Sequence, residues 1–162
     1  MKLAIIPARG GSKRIKNKNI VAFMGKPMIS FALEAAEKSS LFDIIHVSTD
    51  SEEIRQVVEE LGYPVDFLRP NHLADDMTGL LPVYKWVLSE FQQQGMNFED
   101  ICCLMPTAPL LESEDLIAGY ELYQTNNKYH PLMVVAPFPV PIEWAFHRDH
   151  KTLLTPNELN SL

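Results

Sequence analysis

The residues best able to do chemistry lie together near the start of the chain. Arg9, Gly10, Gly11, Ser12, Lys13, Arg14, Lys16 and Lys18 follow directly on a short apolar run, Leu3 to Ile6. Adjacent glycines let a backbone bend and bring its N–H groups close to an anion, a serine adds a hydroxyl donor, and an arginine can grip an oxyanion bidentately. That combination suits a triphosphate. Charge placement agrees, because residues 1–33 hold seven Lys or Arg and no Asp or Glu, whereas residues 34–162 hold seven against 21. The net charge of −7 conceals a cationic segment on an acidic body, which a phosphate-rich small ligand explains better than solubility does. The run fits neither G-x-x-x-x-G-K-[ST] nor G-x-G-x-x-G, which disfavours a P-loop nucleotidase and an ordinary dinucleotide site. The plain alternative is a solvated loop whose charges balance nearby acids.

The elements that must position this loop alternate between strand and helix. After the Leu3–Ile6 strand and the basic loop, Gly25-Lys26-Pro27 predicts a turn with proline at the first helical position, and Met28 to Lys38 carries Ile29, Leu33 and Ala36 at helical spacing. Ile44 to Val47 reads as a second strand. Asp50, with Glu53 three residues on, reads as a capping box opening a helix through Ile54, Val57, Val58 and Leu61, which Gly62 stops. Val65 to Leu68 is expected to be a third strand, followed by a polar loop and a helix with Pro82 near its start and Val83, Val87, Leu88 and Phe91 on one face. Ile101 to Met105 is expected to be a central strand buried on both faces, Ser113 to Thr125 a helix, and Leu132 to Ala136 a further strand. Together these predict an α/β domain over residues 1–136 with a mostly parallel sheet. Pro137, Pro139 and Pro141 then force an extended arm over 137–162 that carries Trp144 and Phe146.

In such sheets, ligands bind beyond the carboxyl ends of the strands. The loops expected there are Ala8 to Asn19, Ser48 to Asp50, Arg69 to Thr78 and Pro106 to Pro109, so the polar candidates converge on one rim. The 162 residues suffice for one core, and no apolar run approaches the roughly 18 needed to span a bilayer, so the expectation is a cytoplasmic protein with no membrane partner. The acidic balance and the lack of aromatics among the bases argue against nucleic acid. Cys102 and Cys103 are expected to be buried, reduced thiols without metal-ligand spacing, and none of the five histidines has ligand spacing either. Asp50 is expected to be a helix cap rather than a metal ligand, and Asp75 and Asp76 to start the long helix.

Several stretches together carry a resemblance: Ile6-Pro7-Ala8-Arg9-Gly10-Gly11-Ser12-Lys13-Arg14 with Lys18-Asn19, Val47-Ser48-Thr49-Asp50, Leu68-Arg69-Pro70 with Leu73-Ala74-Asp75-Asp76, and Pro106-Thr107-Ala108-Pro109-Leu110. They resemble the acylneuraminate cytidylyltransferases. The double cysteine, the Asp75-Asp76-Met77-Thr78-Gly79 loop and the run Pro137 to Ile142 resemble the pseudaminic acid branch of that family most. The resemblance implies a three-layer Rossmann-like nucleotidyltransferase fold. It also implies magnesium-dependent transfer of CMP from CTP to the anomeric hydroxyl of an acidic nine-carbon sugar, with release of pyrophosphate, by a homodimer.

On this analogy Arg9, Ser12 and Lys18 face the phosphates within the Gly10-Gly11 loop, and Arg9 and Lys18 are the catalytic pair, with Lys18 stabilising the departing pyrophosphate. Ala8, Asn19 and Arg69 seat the cytidine, Asp76 and Thr78 lie at the nucleotide rim, and Thr107 lies near the sugar or the α-phosphate. Met105 departs from the glutamine of many sialic acid members. No residue present is assigned to magnesium, because the Asp-containing segment that supplies its ligands in the family is expected downstream of Leu162. Two alternatives accompany the active enzyme: a catalytically incomplete relative that binds nucleotide, and a dinucleotide-binding domain.

Overall fold

The computed structural model describes residues 1–126, 128–135 and 137, together with the backbone of residues 146–148 and 154–156. The chain divides into two units, Met1–Asn127 and Lys128–Leu162.

Alternation along the first strand sets the layering of the first unit. In β1 (Lys2–Pro7), Leu3 and Ile5 join one core cluster while Ala4 and Ile6 join another, and all four are fully buried. A strand apolar on both faces must be covered on both. The chain supplies the cover in order: a tight hairpin of β2 (Ala22–Phe23) and β3 (Lys26–Pro27), then α1 (Met28–Ser39), β4 (Ile44–Ser48), α2 (Glu52–Glu60), a 3₁₀ turn (Asn71–Leu73), α3 (Leu80–Gln93), β5 (Asp100–Cys103) and α4 (Ser113–Thr125). Strands β4 and β5 flank β1, all parallel, with Ile5 level with both His46 and Cys103.

Helices α1 and α2 pack Ile29, Leu33, Ile54 and Val58 onto the Ala4 and Ile6 face, and α3 packs Val87 and Phe91 onto the other, which makes three layers. Each fully buried Leu or Ile contributes about 1.5–3 kcal/mol. Helix α2 ends in a Schellman arrangement, with the Tyr63 N–H on the Val58 carbonyl at 3.1 Å, the Gly62 N–H on the Glu59 carbonyl at 2.9 Å, and Gly62 at φ 93°. No helix among the described residues is long and apolar enough to cross a membrane.

The structure corrects several expectations. Residues 65–68 form no strand, although Val65 is buried; Pro64 and Pro70 bracket the segment, and its backbone meets the end of β4 through the Arg69 N–H, which donates to the Thr49 carbonyl at 2.7 Å. The central strand is β1, not β5, which lies at an edge of the described sheet with Ile101 43% exposed. Cys102 is accordingly half-buried and Cys103 exposed. Pro27 takes the N-cap position one residue before α1, and the cap of α2 is Ser51, whose side chain accepts from the Ile54 N–H at 3.4 Å.

In the second unit, residues 131–135 lie outside any strand with their side chains exposed, so the strand expected at Leu132–Ala136 does not form over its described part. An apolar run specifies no hydrogen-bonding partner. Within the expected arm, β6 (Phe146–Arg148) and β7 (Leu154–Pro156) pair antiparallel, with Phe146 opposite Pro156. Trp144 lies outside the described residues.

Candidate functional site

Strand order locates the site. The first crossover runs from β1 to β4 on one side, and the chain later returns to place β5 on the other, so the order reverses at β1. Open α/β sheets bind ligands at such a reversal, beyond the strand ends. A cavity of about 740 Å3 opens there, walled at its base by Pro7 from β1 and by Met105 and Pro106 after β5. Its size is that of a small-molecule site.

Five cationic side chains line the cavity, Arg9, Lys13, Arg14, Lys18 and Arg69, against two carboxylates, Asp75 and Asp76. The excess of three positive charges in a concave site attracts anions. One cation lies deep. Arg69 is 5% exposed; its Nε donates to Ser48 Oγ at 3.1 Å and its Nη2 to the Ser48 carbonyl. Burial pushes its guanidinium down from the ordinary arginine value while the Asp50 carboxylate pulls the other way, and it stays charged. The other four lie on the loop that follows β1, which continues the sheet for one residue through the Ala8 N–H to the Ser48 carbonyl at 2.8 Å and then turns away.

Ion pairs organise the outer rim. Asp76 Oδ1 accepts from Arg9 Nη2 at 3.0 Å and its other oxygen pairs with Lys13, which together hold its carboxyl below the usual carboxylate range. Arg9 Nη1 also donates to the Asp75 carbonyl at 2.7 Å. Asp75 is a turn former and does not open α3: its Oδ1 accepts from the N–H groups of Met77 at 2.9 Å and Thr78 at 2.6 Å, two residues or more before the helix begins.

Asn19 is a buried polar residue in the cavity wall. Only 4% exposed, it donates from Nδ2 to the Arg9 carbonyl at 3.0 Å and accepts the Ile29 N–H on its carbonyl at 2.8 Å, while its Oδ1 has no partner among the described residues. A buried acceptor left unpaired costs about 1–3 kcal/mol, a cost that a ligand donor removes.

The sequence-predicted site residues fall into two groups. Arg9, Ser12, Lys18, Asn19, Arg69, Asp76 and Thr78 line the cavity. Ala8, Gly10, Gly11 and Thr107 do not: the Ala8 side chain is buried in the core, Gly11 has open space around it, and Thr107 is half-buried beside Pro106. Gly10 is placed by packing, since a Cβ there would meet Ser51 Cβ at 2.8 Å, and its N–H is already used on Asp50 Oδ1 at 3.0 Å.

Sequence reasoning placed Ser48 on the rim and Lys13 in the basic loop but missed what each does: Ser48 holds Arg69, and Lys13 pairs with Asp76. The signal for Ser48 is its place at the end of a strand beside the site; Lys13 carries none beyond its charge. The expected capping pair Asp50 and Glu53 reaches back to the basic loop, with Glu53 Oε1 accepting from Asn17 Nδ2 at 2.8 Å.

Among the described residues no cluster of three or more His, Cys, Asp or Glu can hold a metal. Asp76 is committed to cations and Asp75 to main-chain amides, so these residues do not fit the magnesium that the resemblance implies.

Residues 3–157 match the family model described as cytidylyltransferase. The chain is 41% identical, over 90% of its own length and 62% of the relative's, to the pseudaminic acid cytidylyltransferase of Campylobacter jejuni. It is 34% identical, over 97% of its length and 67% of the relative's, to the CMP-N,N'-diacetyllegionaminic acid synthase of Legionella pneumophila. Among solved structures, a CMP:2-keto-3-deoxy-manno-octonic acid synthetase complexed with CTP superposes with a TM-score of 0.64 at 21% identity, over 78% of this chain and 48% of that one, a likeness of fold. The chain thus spans about three-fifths of the Campylobacter relative's length.

Proposed function

We propose that this chain, which belongs to the cytidylyltransferase family, binds CTP in the cavity beyond β1 and β5. In this reading it provides the nucleotide half of a reaction that moves CMP onto an acidic nine-carbon sugar of the pseudaminic or sialic acid type. The observation that carries the reading is the pairing of a cationic rim with a deep polar end, Arg69 and the unpartnered Asn19 Oδ1. A nucleoside triphosphate has that polarity: three phosphates at one end and a base with fixed donors and acceptors at the other. Cytosine presents an amino group where uracil presents a carbonyl, so a buried acceptor favours cytosine.

In the proposed reaction the anomeric hydroxyl oxygen of the sugar attacks the α-phosphorus of CTP. The bond from that phosphorus to the α,β-bridging oxygen breaks, pyrophosphate leaves with the electron pair, and the hydroxyl proton is lost to solvent. Such a displacement depends on in-line placement and on neutralising charge at the leaving group. Arg9 and Lys18 supply the positive charge around the phosphates, Ser12 supplies a hydroxyl donor, and Arg69 and Asn19 fix the cytidine. Magnesium, a homodimer and a cytoplasmic location belong to the same reading and draw their support from the family.

Pyrophosphate release by the full-length protein, with CTP, magnesium and a series of nine-carbon acids, tests the reaction. Release that requires both CTP and one of the sugars is expected. Absence of release with every sugar, alongside intact CTP binding, would reduce the function to nucleotide binding.

A further inference from the structure

Two acids at the start of α2, Asp50 just before its cap and Glu53 in its first turn, bond to the loop after β1. Ser51 is the cap, and the two residues at capping-box spacing, Asp50 and Glu53, point to the basic loop. Asp50 Oδ1 accepts the Gly10 N–H at 3.0 Å and Glu53 Oε1 accepts Asn17 Nδ2 at 2.8 Å, so the loop is tied near both ends to one rigid helix start. The fit at Gly10 is close, because a Cβ there would come within 2.8 Å of Ser51 Cβ and 3.9 Å of Asp50 Oδ2. Only glycine allows the loop to sit this near the helix. Asp50 is also the continuation of β4 beyond Ser48, whose side chain and carbonyl hold Arg69. One short stretch, Ser48 to Ser51, therefore contacts both the cationic loop and the buried arginine.

From this geometry we infer that Asp50 is a positioning residue for the nucleotide loop: its carboxylate oxygen sets the backbone at Gly10, and through it the placement of Arg9 and Ser12. The inference rests on the nucleotide reading only for its kinetic consequence, since the contact itself exists without ligand. Asp50 acts by accepting a hydrogen bond, so an amide oxygen in the same place should serve.

Three variants test this. In the ligand-free protein, exchange of the Gly10 amide proton, followed by NMR, should speed up about tenfold in Asp50→Ala, the worth of one hydrogen bond, and less than about threefold in Asp50→Asn. In the full-length enzyme, Asp50→Ala should raise KM for CTP about tenfold with kcat within about twofold, and Asp50→Asn should restore KM to within about threefold of the parent. Gly10→Ala, which alters no charge, should raise KM as Asp50→Ala does, and it stands in for that variant if the latter fails to fold.

Unchanged Gly10 exchange in Asp50→Ala overturns the inference whatever the nucleotide result. So does an Asp50→Asn as damaged as Asp50→Ala, or a collapse of kcat that added magnesium reverses, which would make Asp50 a charge or metal residue. Failure of the parent protein to bind CTP, with the exchange pattern as expected, would instead sink the nucleotide reading and leave the loop contact standing.

Discussion

Replacing Arg69 with methionine removes the charge and keeps much of the side-chain volume. The guanidinium makes two hydrogen bonds to Ser48, one to Oγ at 3.1 Å and one to the carbonyl. Hydrogen bonds to charged groups contribute about 1.5–3 kcal/mol each, which would suggest 3–6 kcal/mol in all. Two effects lower that figure. The Ser48 carbonyl keeps the Ala8 N–H at 2.8 Å, so only Oγ is orphaned, and methionine avoids the cost of holding a charge at 5% exposure. A loss of about 2–3 kcal/mol remains, and for a chain of this length each kcal/mol lowers Tm by about 2–4 °C, giving a fall of about 4–12 °C. Differential scanning calorimetry measures it, and titration with CTP on the folded variant should show affinity reduced at least tenfold. A Tm within about 1 °C of the parent would refute the claim that Arg69 clamps the end of β4, and unchanged CTP affinity would remove it from the site.

Arg9→Ala should weaken CTP binding by on the order of 1.5–3 kcal/mol by isothermal titration, the worth of a charge-assisted hydrogen bond, and unchanged affinity would take Arg9 out of the site. Asp76→Asn frees Arg9 and Lys13 from an exposed pair, so pyrophosphate and CTP should bind slightly tighter, by up to about fivefold; weaker binding would place Asp76 on the ligand. Asp66 Oδ2 lies 3.3 Å from His46 Nδ1, and that bond holds the Asp66 carboxyl below its usual range. A depressed carboxylate contributes stability above its unfolded pKa and loses it as pH falls through the folded value. The parent should therefore exceed Asp66→Asn in urea stability at neutral pH, with the gap closing in acid; a gap that widens in acid would reverse the sign.

Local pattern reached the elements whose burial repeats along the chain. The Met28 helix is read from periodicity because α1 buries a regular set of side chains, and the Leu3–Ile6 strand from a continuous apolar run because β1 is buried on both faces; the Ser113 start is found although α4 buries none of its residues. The errors fall where a neighbour distant in sequence decides the outcome. Residues 65–68 are apolar like a strand, yet Pro64 and Pro70 bracket them and the backbone tie toward β4 is that of Arg69, just beyond them. The run Ile101 to Met105 cannot report that, among the described residues, β5 has a strand partner on only one side. Asp50 and Ser51 are both good caps, and only the approach of Gly10, forty positions earlier, commits Asp50 elsewhere. The basic loop was legible from composition, and the counter-charge at Asp76 was not, because 67 residues separate it from Arg9.

That loop, with the buried Arg69 and Asn19 at its inner end, is read as a site for CTP. Isothermal titration of CTP and UTP into the protein under identical conditions tests this most directly, because the two ligands share their phosphates and differ at the base edge that the Asn19 acceptor would meet. The expected result is saturable 1:1 binding of CTP with UTP weaker by about tenfold or more, the loss of one buried hydrogen bond. Equal affinity for both nucleotides, or binding of neither, would contradict it.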